Sequence, residues 1–293
     1  MSPVQTYYDL KNDVAFKRTF GSEGTEEITL DLLNSLLTPH LEAPLVSLEF
    51  LNKEQHATSE KGKSGRLDVL CKDAKGNRYI IEMQAGDHPH FGQRVQFYTA
   101  VDVANQLNKG KTYGDLRRVI TLSFLNFSLF PDFKNYTTNF GALELTELKP
   151  SPHVDLLNYT FVDLPKFRES IKHVPLEKLD HKQRLCKVIA DAGTLNKAQA
   201  KKLTQDDPIM QMILRNLEAE RWNEKDRARY LQAAKWDMDY DNGMISAERR
   251  GEQRGERRGE QRGKRIGEQR GRQKALNDLV TKGIITLEQA RSL

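Results

Sequence analysis

The chain predicts an α/β protein: a mixed central sheet flanked by helices, followed by a helical C-terminal region. Four segments carry that expectation. The stretch GRLDVLCKDAKGNRYIIEMQA, residues 65–85, has two Val/Ile/Leu/Tyr-rich arms around a Gly-Asn turn and reads as a β-hairpin. Residues 23–37 place apolar side chains at helical spacing ahead of it, and residues 90–107 read as a second helix behind it. Downstream, VITLSFLNFSLF (119–130) is a long β-prone run suited to a buried strand.

In chain order, Glu23–Leu37 is the expected first helix and Leu45–Leu51 the first strand, joined to the hairpin by a polar loop, Asn52–Ser64. The hairpin arms are Arg66–Lys72 and Arg78–Ala85, around the turn Asp73–Asn77. His90–Leu107 enters after the Pro89 breaker and closes at Lys109-Gly110. Val119–Phe130 and Tyr159–Val162 supply further strands. Residues 175–240 are helix-patterned, with Asp180–Ala192 and Pro208–Asp237 as the clearest pieces. Expected boundaries are a 1–170 core, a 171–245 helical accessory region, a 246–274 linker and a 275–293 helical hairpin, in which Gly283 ends one helix and Thr286–Gln289 caps another.

Asp68 and Glu82 are carboxylates inside otherwise apolar strands, where charge is depleted and costly to bury unpaired. Alternation puts Glu82 and Gln84 on one face and Met83 on the other, and the hairpin can bring Asp68 opposite that pair. Hard divalent cations such as Mg²⁺ prefer oxygen ligands of this kind. Salt bridges on a solvated face are the alternative, but the run Tyr79–Met83 is too apolar for a simple exposed face.

From Asp68 through Glu82-Met83-Gln84 the chain resembles the active-site signature of the PD-(D/E)XK nuclease superfamily. More narrowly it resembles the bacterial recombination-promoting nuclease and transposase group, in which ExQ often replaces ExK. Asn12–Lys17, Leu32–Leu37, Arg94-x-x-x-Tyr98, Asn105–Gly110 and Tyr113 match in order, and the resemblance covers roughly residues 8–165. It implies a restriction-endonuclease-like core and metal-dependent cleavage of DNA. On that resemblance the catalytic set is Asp68, Glu82 and Gln84, with Mg²⁺ (or Mn²⁺ in its place) held by Asp68, Glu82 and the Met83 backbone carbonyl. Substrate contacts fall to Arg94, Tyr98, Lys17 and Arg66. Gln84 stands where most relatives carry lysine, and a neutral amide supplies no positive charge. That role passes to a second metal ion or to a basic residue such as Lys63 or Arg66. By spacing alone, Arg94 and Tyr98 share a helix face, which equally suits a surface charge and a core tyrosine. Lys17 and Asp13 near a helix start carry the same two readings, and Glu54 is a weaker acidic candidate.

Other chemistries lack their patterns. There is no HExxH, no Cys/His zinc spacing, no GxxxxGK[ST] loop and no GxSxG elbow, and His88-Pro89-His90 reads as a turn. Cys71 and Cys186 give no disulfide framework, no apolar run approaches the ~20 residues of a membrane span, and MSPVQTYYDLKND has no signal-peptide core. A bacterial cytoplasmic protein, on the nucleoid when bound to DNA, is the expectation.

The charge is uneven. Residues 248–274 hold eleven Lys/Arg and five Glu, a net +6, against +5 for all 293 residues, so the rest of the chain is −1. That tail repeats GEQR-like tetrads with Gly251, Gly255, Gly259, Gly263, Gly267 and Gly271 in step. Each interior glycine costs a helix ~1 kcal/mol, and like charges recur at i,i+4, so a flexible linker is the leading expectation. A phosphate-binding basic arm and an assembly helix follow it. The expected function is a Mg²⁺-dependent DNA endonuclease of low sequence specificity, linked to recombination or mobile elements. Alternatives are a catalytically inactive nuclease-fold module that binds DNA and an interaction protein. DNA is the expected partner, a homodimer suits double-strand cleavage, and the tail suggests an unidentified protein partner.

Overall fold

The computed structural model describes residues 6–51, 67–107, 110–286, 288 and 290. Its strands are β1 (Leu48–Phe50), β2 (Val69–Asp73), β3 (Arg78–Gln84), β4 (Val119–Leu125), β5 (Thr137–Phe140) and β6 (Leu157–Asp163). They form one mixed sheet in the order β1-β2-β3-β4-β6-β5, antiparallel at both ends and parallel between β3, β4 and β6. The helices are α1 (Asp13–Phe20), α2 (Glu26–Leu36), α3 (Phe91–Ala104), α4 (Leu164–Ser170), α5 (His181–Asp191), α6 (Lys197–Thr204), α7 (Pro208–Leu217) and α8 (Glu224–Thr281).

The expected hairpin is β2–β3. Its turn is organised by Asp73, whose carboxylate accepts from the Lys75 and Asn77 N–H groups and the Tyr79 hydroxyl, while Gly76 supplies φ +84°. Period two sorts the strands onto two faces. Val69, Cys71, Tyr79, Ile81, Met83, Ile120, Leu122 and Phe124 point into the main core with α1 and α2. Leu70, Ile80, Val119 and Leu125 point the other way, toward α3, where Tyr98, Val103, Phe91 and Val95 cover them. A Thr99–Thr121 hydroxyl pair at 2.9 Å and an Arg78–Asp102 ion pair at 2.9 Å fix α3 to that face.

The main core runs across residue 170 without a break. Phe167, Ile171, Leu185, Ile189, Leu203, Met210, Ile213 and Trp222 belong to the same cluster as the strands. The chain forms two compact units, Met1–Lys235 and Trp236–Leu293. Among the described residues, no helix is long and apolar enough to cross a membrane.

Several elements differ from expectation. The first expected helix starts at Glu26, because Gly24 at φ +85° and the Thr25–Ser22 turn occupy the preceding residues. The expected strand through Phe130 stops at Leu125. There Asn126 turns away, its N–H donating to the Gln84 carbonyl and its side chain to that of Ala85. Pro208–Asp237 is two helices: Leu217 ends α7, and Asn223 opens α8 by accepting the Asp226 N–H at 2.8 Å. Finally, α8 continues as helix through all six repeat glycines. The costly first turn is already formed upstream, so the repeat has only to propagate it.

Candidate active site

The β2–β3 ladder ends at the pair Val69–Ile81, and Asp68 and Glu82 are the next residues out. There side chains take over from the backbone. The Asp68 carboxylate accepts the Met83 N–H at 2.8 Å, and the Glu82 carboxylate accepts the Asp68 N–H at 3.3 Å. Each acid is thus pinned to the other arm of the hairpin. Asp68 is buried and Glu82 half-buried.

Gln84 follows on the same face, and its Oε1 accepts from Arg94 at 2.7 Å. Arg94 projects from the first turn of α3 with its guanidinium carbon 5.1 Å from the centre of the Phe91 ring. Tyr98 stands one turn further along. Asp68, Glu82, Gln84, Arg94 and Tyr98 all line one cavity of about 410 Å³, together with Leu67, His88, Phe91 and Thr121. Helix α1 enters from the opposite side. Its N-cap Asn12 sets the helix start, so Asp13 and Lys17 fall one turn apart and pair with each other. Lys17 Nζ also lies 3.2 Å from Asp68 Oδ1.

The electrostatics follow from this crowding. Burial is the main cause that lifts the Asp68 carboxyl to about 7; Lys17 opposes it, Asp13 adds to it, and the Met83 N–H opposes it. Glu82 is pushed well above the usual carboxylate range, first by burial and then by Asp68, with the Asp68 N–H, Lys17 and Arg94 pulling back. Burial lowers the Lys17 ammonium, but Asp68 and Asp13 outweigh it and keep Lys17 charged.

The oxygen donors suit a hard divalent cation. Two neighbouring carboxylates that resist joint ionisation gain most from an added positive charge. The Met83 carbonyl is placed to join them: its N–H faces Asp68, and a strand residue's carbonyl lies on the same edge as its N–H. Among the described residues, no group of three His, Cys, Asp or Glu side chains converges on a metal position. A divalent cation here would be held by two carboxylates and one backbone carbonyl.

The expected residues Asp68, Glu82, Gln84, Arg94 and Tyr98 come together here, and Lys17 meets the carboxylate of Asp68. Arg66, Lys63 and Glu54 lie outside the described residues. The cation beside Gln84 is Arg94, which sequence reasoning had assigned to phosphate rather than to the amide. Sequence reasoning also left out His88 and Phe91; the Pro89 turn between strand and helix was the available signal.

The chain matches a protein-family model described as "PD-(D/E)XK nuclease family transposase" over residues 10–247. No curated protein and no solved structure gave a significant match.

Proposed function

The chain belongs to the PD-(D/E)XK nuclease family transposases, and from that premise we propose that it is a metal-dependent DNA endonuclease of low sequence specificity. On this reading it acts in recombination or in the movement of mobile elements, in the cytoplasm and on the nucleoid. The observation that carries the reading is the reciprocal pinning of Asp68 and Glu82 beside the Gln84–Arg94 pair. A phosphodiester is a poor electrophile, so its hydrolysis needs an activated water and a stabilised leaving oxygen. Mg²⁺ or Mn²⁺, held by Asp68, Glu82 and the Met83 carbonyl, would supply Lewis acidity and an acidified water.

The protein's own groups do the rest. Arg94 brings the positive charge that Gln84 lacks, and its bond to Oε1 leaves the Gln84 amide N–H groups to orient water or a phosphate oxygen. Lys17 opposes the burial that lifts the Asp68 carboxyl, and its ammonium stands ready for phosphate. Tyr98 closes the cavity wall behind them. Cutting both strands requires two such sites, which a homodimer provides, and the tail offers a surface for a protein partner.

A second reading rests on one observation. Both Asp68 oxygens are already engaged, one by Lys17 and one by the Met83 N–H, as in a nuclease fold that only binds DNA. Supercoiled plasmid incubated with wild type, Asp68→Ala and Glu82→Ala in Mg²⁺, Mn²⁺ or EDTA separates the two. Metal-dependent nicking lost in both variants supports the nuclease. Retained DNA binding with no cleavage in any metal supports the binding module.

A further inference from the structure

The sheet face that carries Asp68, Glu82 and Gln84 extends beyond α3. On β6 and β5 it presents Tyr159, Phe161 and Phe140, with Phe140 paired directly to Tyr159 in the ladder. The segment after β4 folds Leu129 and Phe130 over them, leaving a cavity of about 530 Å³. Its walls are aromatic. The Phe130 ring lies 5.1 Å from Phe140 and 5.2 Å from Phe161, and Tyr159 stacks along Phe161 with only 15° between planes. Asp87, His88, His90, Gln93 and Gln96 form a polar rim.

This cavity adjoins the candidate active site. His88 and Phe91 line both cavities. His90, on the rim of the aromatic cavity, sits at φ 63°, a left-handed conformation that a residue with a Cβ adopts only at a cost. Only β4 separates β3 from β6, so the acids and the aromatic wall are about two strand spacings apart, ~10 Å.

We propose that the aromatic cavity receives an unpaired nucleobase adjoining the phosphodiester to be cut, so that single-stranded or locally opened DNA is the preferred substrate. The proposal rests on the nuclease reading above. Continuity decides the occupant: charge beside Arg94 gives way to rings and then to amides, the order in which a nucleotide presents its phosphate, its base faces and its base edges. Every base offers a π-face to an aromatic wall, whereas a lipid chain has none. Gln93 and Gln96 each carry a donor and an acceptor for base edges. A paired base has both faces stacked in the duplex and enters such a cavity only after unpairing.

The test uses the full chain carrying Asp68→Asn, bound without metal to single-stranded oligonucleotides. One set carries the fluorescent base 2-aminopurine in turn at each position near the cut linkage, and a second set carries an abasic site there. The expected result is fluorescence quenching at one position and about tenfold weaker binding by Phe140→Ala. The abasic strand should lose nothing further with that variant. Phe140→Leu, which keeps apolar bulk and removes the ring, should behave alike and guards against a folding failure in the alanine variant. With Asp68 restored, single strands should be cut faster than blunt duplex. Equal losses on the normal and abasic strands, or no effect of either variant on DNA that binds and is cut, overturns the proposal alone. Failure of the wild type to bind or cut any DNA overturns the nuclease reading, and this proposal with it.

Discussion

On the nuclease reading, Arg94 takes from a helix the charge role that lysine takes from the strand in most of the resembled nucleases. Arg94→Ala should therefore lower kcat by ~10²-fold, the usual loss of a charge-stabilising donor, while circular dichroism stays unchanged. Arg94→Lys should recover only part of that loss, because an ammonium lacks the planar fork. Wild-type rates in Arg94→Ala would remove the residue from the mechanism. Asp68→Asn and Glu82→Gln should each reduce plasmid cleavage to background, without loss of the folded state. These positions were legible because charge in an apolar hairpin is rare and period two fixes which neighbours share a face. Lys17 was only half legible. Its partner Asp68 is remote in sequence, and no local pattern announces an ion pair made between a helix and a distant strand.

Elements were legible where periodicity and stop signals agreed. The β2–β3 hairpin, α3 and α5 lie close to their expected bounds. Strand β5, Thr137–Phe140, was not read at all, since it is short, half-polar and takes its pairing entirely from β6. The tail helix was misjudged for another reason: propensity was weighed as though the segment had to nucleate alone. No atom outside the helix's own backbone lies within 4 Å of a Cβ placed on Gly255 or Gly263. Gly255→Ala and Gly263→Ala should each stabilise the helix by ~1 kcal/mol, seen as stronger far-ultraviolet ellipticity. An unstructured linker would show no change. Helix packing yields a pH prediction as well. His181 on α5 meets Asp31 of α2 at 2.7 Å through Nε2 and Asp207, the α7 cap, at 2.8 Å through Nδ1. Burial lowers its pKa, but the two carboxylates outweigh that and the net shift is upward. The stabilisation is therefore complete below the unfolded value of about 6.5 and fades as pH rises through the higher folded value. The stability gap between wild type and His181→Asn, measured by urea titration, should narrow from pH 6 to pH 9.

Across the chain, the excess positive charge and the cleft acids are separated along the sequence. The cleft acids belong to the 1–235 unit, while the net +6 lies in residues 248–274. Replacing Arg254, Arg258 and Arg262 by Gln should leave plasmid cleavage at low salt nearly unchanged. If the tail meets DNA, the slope of log affinity against log salt should flatten by about 0.9 per arginine. An unaltered slope would assign the tail to a protein partner. The body closes on itself through its two ends. The Tyr8 N–H donates to the Leu217 carbonyl, the Asn12 side chain to that of Tyr230, and Arg18 pairs with Asp226. During synthesis these three contacts form only once residues 217–230 have emerged. Helix α1 carries Lys17, so the Lys17 side of the cleft is braced by residues made more than two hundred positions later.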